Sequence, residues 1–333
     1  MLFDLSELAF SDLDRLETLW RVEHVGCQGC APRVATVTAH DGWKAIRRRY
    51  ETAFKKGGAY GWIVTHGERD IAYVVCAMQP MQWSATFQQP TSLWKVLTFF
   101  VRPEYRGIGI GRNLFTAMEE RISRFGMSAR LAGVTAGNDT GIRFLSKRGF
   151  KAAWLTMVRF GPSEEPVRFH GKHHIEVAGV DLVTSLKPLW LELHHHHQLV
   201  SPNLGPYVED VPSWSVIRGL LEKGAREGLL LVARAGSRIV GLASAAIHEG
   251  GEDFGLSDKW ETGKRVAETK FLIVSPDHRG QHVGAALLDR VDEIVTRHGA
   301  VDQVIGAVAQ NSSAIRFYES RGFRQAWLEY VKW

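Results

Sequence analysis

The chain has 333 residues, 45% of them hydrophobic, a formal charge of +5 and three cysteines. That length suggests about two domains, with ample apolar material for two cores. Three unevenly placed cysteines exclude a disulfide framework and make a reducing cytoplasm the expected setting, while basic residues interleaved with acids exclude nucleic acid as an expected partner.

Residues 1–5 carry no basic segment followed by an apolar one, and no apolar run reaches membrane length. Neither a secretory leader nor a membrane partner is expected. Residues 1–9 read as an edge strand. Ser11 reads as the cap of an amphipathic helix whose stripe is Leu13, Leu16, Leu19 and Trp20. The stretch 22–40, with its cysteines, glycines and proline, reads as a loop. Cys27 and Cys30 within it lack a second CxxC pair and read as free thiols. A second helix is expected over 42–56, then strands 60–66 and 71–78 around the turn 67–70. After a connection over 79–91 come strand 92–101, a basic glycine-rich turn and a helix to about Phe125. Strand 131–135, a short helix 140–148 stopped by Gly149, and a closing strand 152–160 complete the unit.

Residues 161–173 read as a linker between a first domain, 1–160, and a second, 174–333. The second shows strand 174–178, helix 182–195, a loop over 199–212 and helix 214–227. A hairpin follows, 229–235 with 238–248, through Gly236-Ser237, and then a polar loop over 249–265. Strand 266–274, another glycine turn, helix 283–298, strand 302–308, helix 312–321 and strand 324–332 end the chain. Mixed strands and helices in this order imply an α/β sandwich.

The stretch Val101-Arg102-Pro103-Glu104-Tyr105-Arg106-Gly107-Ile108-Gly109-Ile110-Gly111 joins a buried strand to a helix. Such a turn leaves backbone N–H groups unpaired at the positive end of a helix dipole, which suits an anion such as a diphosphate. The phrase returns as Val274-Ser275-Pro276-Asp277-His278-Arg279-Gly280-Gln281-His282-Val283-Gly284. Arg279 lies 173 residues after Arg106, and the same interval separates Asn138 from Asn311 and Gly149-Phe150 from Gly322-Phe323. It also separates Ala153-Trp154-Leu155 from Ala326-Trp327-Leu328. A constant interval over so long a span marks a duplication.

The two linked motifs are R-G-I-G-I-G with N-D-T-G-I-R-F-L-S-K-R-G-F, and R-G-Q-H-V-G with N-S-S-A-I-R-F-Y-E-S-R-G-F. They resemble the GNAT superfamily of acyl-CoA N-acyltransferases, directly over about residues 90–159 and 263–332. The resemblance implies two tandem GNAT folds, each a mixed, splayed β-sheet flanked by helices on both faces. It also implies acetyl-CoA as the acyl donor, with no metal, a small-molecule amine as acceptor, and a monomer or homodimer.

The coenzyme is then expected on Val101, Arg106, Gly107, Ile108, Gly109, Ile110, Gly111, Arg112 and Asn138. The second set is Val274, Arg279, Gly280, Gln281, His282, Val283, Gly284, Ala285 and Asn311, with His282 replacing a glycine and making backbone approach less free. The resemblance further implies Glu268 as general base and Tyr318 as the acid for the leaving thiolate. Lys95 and Leu145 stand at the matching first-copy positions, so the second copy is expected to be catalytic. In this it is similar to the mycothiol synthases, a tandem branch of the superfamily. The acceptor pocket is expected near His194-His195-His196-His197, Tyr207, Glu209, Asp210 and Trp214. The histidine run itself offers only helical pairs, with no adjoining Cys or carboxylate cluster to hold a metal. A non-catalytic CoA-binding scaffold and a protein N-acetyltransferase remain the alternatives.

Overall fold

A computed structural model of the chain describes residues 3–30, 38–80, 92–126, 129–161, 173–201, 212–249, 263–300 and 302–333. The first repeat runs β1 (Asp4–Glu7), α1 (Leu16–Cys30), α2 (Ala39–Lys55), β2 (Ala59–His66), β3 (Arg69–Pro80), β4 (Ser92–Val101), α3 (Ile110–Ser123), β5 (Arg130–Thr135), α4 (Asp139–Lys147) and β6 (Lys151–Arg159). The second runs β7 (His174–Val177), α5 (Lys187–Val200), α6 (Pro212–Arg226), β8 (Leu230–Ala235), β9 (Arg238–Glu249), β10 (Arg265–Val274), α7 (Val283–Arg297), β11 (Asp302–Val308), α8 (Ser312–Ser320) and β12 (Arg324–Lys332). One order of elements occurs twice, as the repeat in the sequence implies.

Period-two alternation puts a core on each face of the sheet. Trp62, Val64, Val74 and Cys76 pack under α3 with Leu114, Phe115 and Met118. Ile63, Tyr73 and Val75 face the other way, toward Leu16, Leu19, Trp20, Trp43 and Ile46 of α1 and α2. In the second repeat Val283, Leu287 and Val291 of α7 cover one face, and Trp190, Trp214, Ile217 and Leu221 of α5 and α6 cover the other.

Two local expectations are corrected. Ser11 caps nothing: a 3-10 turn spans Phe10–Arg15, and Asp12 Oδ2 accepts from the N–H of Ala9 at 2.9 Å. Residues 22–30 are helical, not loop, because α1 continues to Cys30 while His24, only 3% exposed, stacks on Trp20 with ring centroids 4.8 Å apart. Tertiary packing outweighs the helix cost of Gly26 and Gly29. Likewise α5 runs to Val200 rather than ending near His195. The residues 79–91 and 249–265 connections and the 161–173 linker lie largely outside the described residues, as do Tyr207, Glu209 and Asp210.

All twelve strands form one sheet, ordered β1-β2-β3-β4-β5-β12-β6-β11-β10-β9-β8-β7. The closing strands are therefore exchanged. Strand β12 of the second repeat pairs with β5 of the first, β6 of the first pairs with β11 of the second, and β6 and β12 pair with each other. Leu155 pairs with Leu328, its own counterpart 173 residues on, which places a pseudo-twofold axis between them. Matching ion pairs cross the junction: Arg159 of β6 reaches Asp292 of α7 at 2.7 Å, and Lys332 of β12 reaches Glu119 of α3 at 2.9 Å. Each closing strand also lays a tryptophan on a glycine of the other repeat. A Cβ on Gly306 would fall 2.4 Å from Trp154 Cζ2, and one on Gly133 would fall 2.3 Å from Trp327 Nε1.

Within each repeat one strand pair is parallel and short. Pairing of β4 with β5 covers only Trp94–Arg130, Lys95–Leu131 and Val96–Ala132, and β10 with β11 ends at Thr269–Ile305. Beyond those points the strands splay. An irregularity between Thr269 and Phe271 marks the parting on β10, and bulges of this kind re-aim side chains beside functional sites.

Candidate active site

The glycine turns sit where β4 and β10 hand over to α3 and α7. In the first, Arg106 Nε donates to Val101 O at 2.9 Å, closing the turn. Gly107 (φ 83°) and Gly109 (φ 96°) then take left-handed backbone. Gly109 caps α3, and its carbonyl accepts from Asn113 N–H. The N–H groups of Gly107, Ile108, Gly109, Ile110, Gly111 and Arg112 find no acceptor among the described residues. The second turn repeats this: Arg279 Nε donates to Val274 O at 3.1 Å, and Gly280 takes φ 74°. The N–H groups of Gly280, Gln281, His282, Val283, Gly284 and Ala285 are left open in the same way. Gln281 braces this turn through Asp277 O at 2.8 Å.

His282 keeps the geometry of the glycine it replaces, with φ 61° against 96° at Gly109. A Cβ at Gly109 would meet nothing within 4 Å, so a side chain at this position projects into open space and the turn stays intact. The cost is conformational, because left-handed backbone disfavours any residue with a Cβ. His282→Gly is therefore expected to stabilise the protein by about 0.5–1 kcal/mol, read as a raised melting temperature.

Asn138 and Asn311 hold the next helices. Asn138 Oδ1 accepts from Gly141 N–H at 2.9 Å, and Asn311 Oδ1 accepts from Ala314 N–H at 3.2 Å and from Ser313 Oγ at 2.9 Å. These are N-caps. Asn311 also borders a cavity.

That cavity, about 120 Å³, lies where β10 and β11 part. Thr269 to Leu272 and Ile305 to Val308 form its sides, and Asn311, Ala314 and Tyr318 enter from α8. Trp190, Leu193, His194 and His197 enter from α5, and Trp154 comes from β6 of the first repeat. No carboxylate lines it among the described residues. Tyr318 is 6% exposed, and burial pushes its phenol well above the usual tyrosine range, so it keeps its proton.

Glu268 is not in the lining, although Thr269 and Lys270 are. His248 Nε2–H donates to its Oε2 at 2.9 Å and Lys270 Nζ lies 2.6 Å from the same oxygen. Burial raises the carboxyl's pKa, but the His248 hydrogen bond and the Lys270 charge outweigh that and leave it below the ordinary value. Glu268 is ionised at neutral pH, with Oε1 open among the described residues.

The histidine run divides by helical periodicity. His194 (2% exposed) stacks on Trp190 at 4.9 Å, and His197 (8%) meets the Trp154 ring edge-on at 6.4 Å. Burial, and then the neighbouring His195, pushes His194 down to about 4. Burial, and then His196 and His194, pushes His197 down to about 3. Both are neutral at pH 7. Nδ1 of His197 and Oγ1 of Thr269 are buried without hydrogen-bond partners among the described residues, and both residues line the cavity. His196 accepts from Asn311 Nδ2 at 3.4 Å.

The first repeat differs in its chemistry. Lys95, matching Glu268, pairs with Glu329 of β12 at 3.5 Å, and Leu145, matching Tyr318, is buried. Tyr73 donates to Glu23 at 2.9 Å, and Tyr50 bonds Thr98, making buried polar contacts between sheet and helices. Burial keeps both phenols protonated. By strand register, Leu242 and Phe271 stand at the second repeat's counterparts of Tyr73 and Thr98. Nothing in the sequence signalled those contacts, or that Trp154 and Thr269 would meet at one cavity.

A splayed mixed sheet with an amide-lined turn at the start of the following helix, built twice, defines a duplicated α/β transferase fold. The acetyltransferase (GNAT) family model matches residues 28–150, and the acetyltransferase (GNAT) domain model matches residues 226–325. Together these cover more than half of the chain, and the chain belongs to the GNAT acetyltransferase family as a tandem of two domains.

Over 74 residues it is 32% identical to an uncharacterised N-acetyltransferase of Methanocaldococcus jannaschii, covering 21% of this chain and 33% of that protein. The match thus spans about a third of that relative's length. A GCN5-related N-acetyltransferase from Sphaerobacter thermophilus has a TM-score of 0.60 at 16% identity, over 99% of this chain and 95% of that one. A tandem GNAT protein from the clavulanic acid biosynthesis pathway has a TM-score of 0.50 at 17% identity, over 99% and 98%. A glucosamine N-acetyltransferase region of a fungal multi-domain β-N-acetylglucosaminidase has a TM-score of 0.59 at 13% identity, over all of this chain but 38% of that one. At these identities the likeness is one of fold.

Proposed function

We propose that the second repeat transfers an acetyl group from acetyl-CoA to a primary amine of a small metabolite or antibiotic by direct attack. The observation that carries this reading is the set of open N–H groups from Gly280 to Ala285 just after β10, the strand whose Thr269 to Leu272 line the cavity that Tyr318 enters. The amides and the α7 dipole suit the coenzyme's diphosphate, and the parted strands leave room for the thioester. The amine nitrogen attacks the thioester carbonyl carbon, the C–N bond forms and the C–S bond breaks. The nitrogen's proton goes to Glu268 Oε1, directly or through water, and the departing thiolate takes the proton of Tyr318. Among the described residues no carboxylate lines the cavity, which disfavours a buried ammonium. The acceptor therefore releases its ammonium proton to bulk water before entry, and Glu268 takes only the proton shed on attack.

Thiol release from acetyl-CoA with an amine panel tests this. Glu268→Gln and Tyr318→Phe are each expected to lower turnover at least tenfold, within the range that general acid–base help supplies. Undiminished activity in both variants would move the chemistry to the first repeat. Lys95 and Leu145 favour a second role for that repeat, holding the coenzyme without turning it over. In calorimetry Arg106→Ala is then expected to lower the number of CoA molecules bound and leave turnover in place.

A further inference from the structure

The exchange of closing strands makes the second repeat's cavity depend on a side chain from the first. Trp154 rides on β6, whose neighbour on one side is β11, with Ala307 paired to Leu155 and Gly306 to Thr156. Its indole lies flat on the backbone of Gly306, close enough that any Cβ there would overlap it. It therefore covers the α5 face of the gap between β10 and β11, opposite Tyr318. His197 meets its edge and contributes an unpartnered buried Nδ1 to the same space, as Thr269 contributes Oγ1. An unpartnered buried polar atom is costly, and two around one cavity point to a guest that hydrogen-bonds them.

We propose that Trp154 is the specificity-determining wall of the second repeat's acyl pocket, limiting the donor to a short acyl group seated between its indole, His197 and Thr269. This rests on the acyltransferase reading above. The pocket is sized by the fold of the other repeat, so neither half holds its substrate range alone. Packing of this kind discriminates chain length by steric exclusion, a rigid aromatic face being unable to yield without disturbing the strand it lies on.

The test uses the full chain with acetyl-, butyryl- and hexanoyl-CoA. Affinities are read by calorimetry, and kcat/KM by thiol release with whichever panel amine is fastest. Trp154→Ala is expected to shift the hexanoyl-to-acetyl preference at least tenfold toward hexanoyl, and Trp154→Phe by less. If the alanine variant fails to fold, the phenylalanine variant carries the comparison. The same proportional loss for all three donors, or an unchanged preference, would reduce Trp154 to a packing residue. A shift in amine preference with donor preference fixed would place the wall in the acceptor subsite and overturn the assignment. No binding of any acyl-CoA by the wild-type protein would instead remove the acyltransferase reading itself.

Discussion

A chain ending at Phe323 is expected to lose the folded first repeat, although every deleted residue belongs to the second. Strand β12 pairs along β5 from Trp327–Thr135 to Lys332–Arg130. Tyr330 and Leu328 pack in the first repeat's core with Phe115, Val134 and Phe150. Lys332 neutralises Glu119, which also carries Arg148 at 3.1 Å. Losing two or three large buried side chains removes about 1.5–3 kcal/mol each. Arg148 stays on Glu119, so loss of the Lys332 pair adds little beside that burial, and total stabilities lie at about 5–15 kcal/mol. Amide hydrogen exchange gives the measurement: residues 131–135 are expected to lose protection in the truncated chain. Retained protection there, with loss confined to 263–323, would mean that each repeat closes its own sheet. The converse experiment follows from the same topology. A chain cut within 162–172 is expected to elute as one particle, because β6 and β12 hold the halves together without the connecting peptide.

That arrangement was beyond the reach of the sequence for a physical reason. Ala153-Trp154-Leu155 and Ala326-Trp327-Leu328 are the same triplet, so either strand offers β5 or β11 the same side chains and the same ladder. Local pattern fixes that a strand forms and which face it buries, and leaves its partner open. The glycine turns were legible because their chemistry is local: Gly107, Gly109 and Gly280 announce left-handed backbone, and the apolar run after each announces the helix. His282 misled in one respect, since histidine can hold the left-handed conformation at a modest cost and the turn survives. Helix lengths were missed where burial overrode composition, as at His24 and again at His197. The cavity assembles residues more than 150 apart, Trp154 to Tyr318, and no spacing rule announces such a meeting.

The neutral histidine pair on α5 sets an acid limit on stability. Unfolded histidine takes up a proton near pH 6.5. In the folded protein His194 does so only at about 4 and His197 at about 3, chiefly because burial disfavours the imidazolium. Between those values the unfolded chain binds more protons than the folded one, so stability is full above about pH 6.5 and falls as the pH drops. Each histidine contributes a slope of about 1.4 kcal/mol per pH unit once its unfolded form is largely protonated. Across the two units down to pH 4.5 the pair is expected to remove about 4 kcal/mol, a large share of an ordinary domain's stability. Carboxylates with depressed values, Glu268 and Glu176 among them, act in the same direction but at lower pH, as their ion pairs protonate. Urea unfolding at intervals from pH 7.5 to 4.5 separates the two sources. Replacing both histidines by glutamine, which has no proton to gain in this range, is expected to flatten the curve above pH 4.5 whatever it does to the absolute stability. An unchanged slope in that variant would show that the α5 imidazoles already titrate normally and that the wall facing the cavity is open to water.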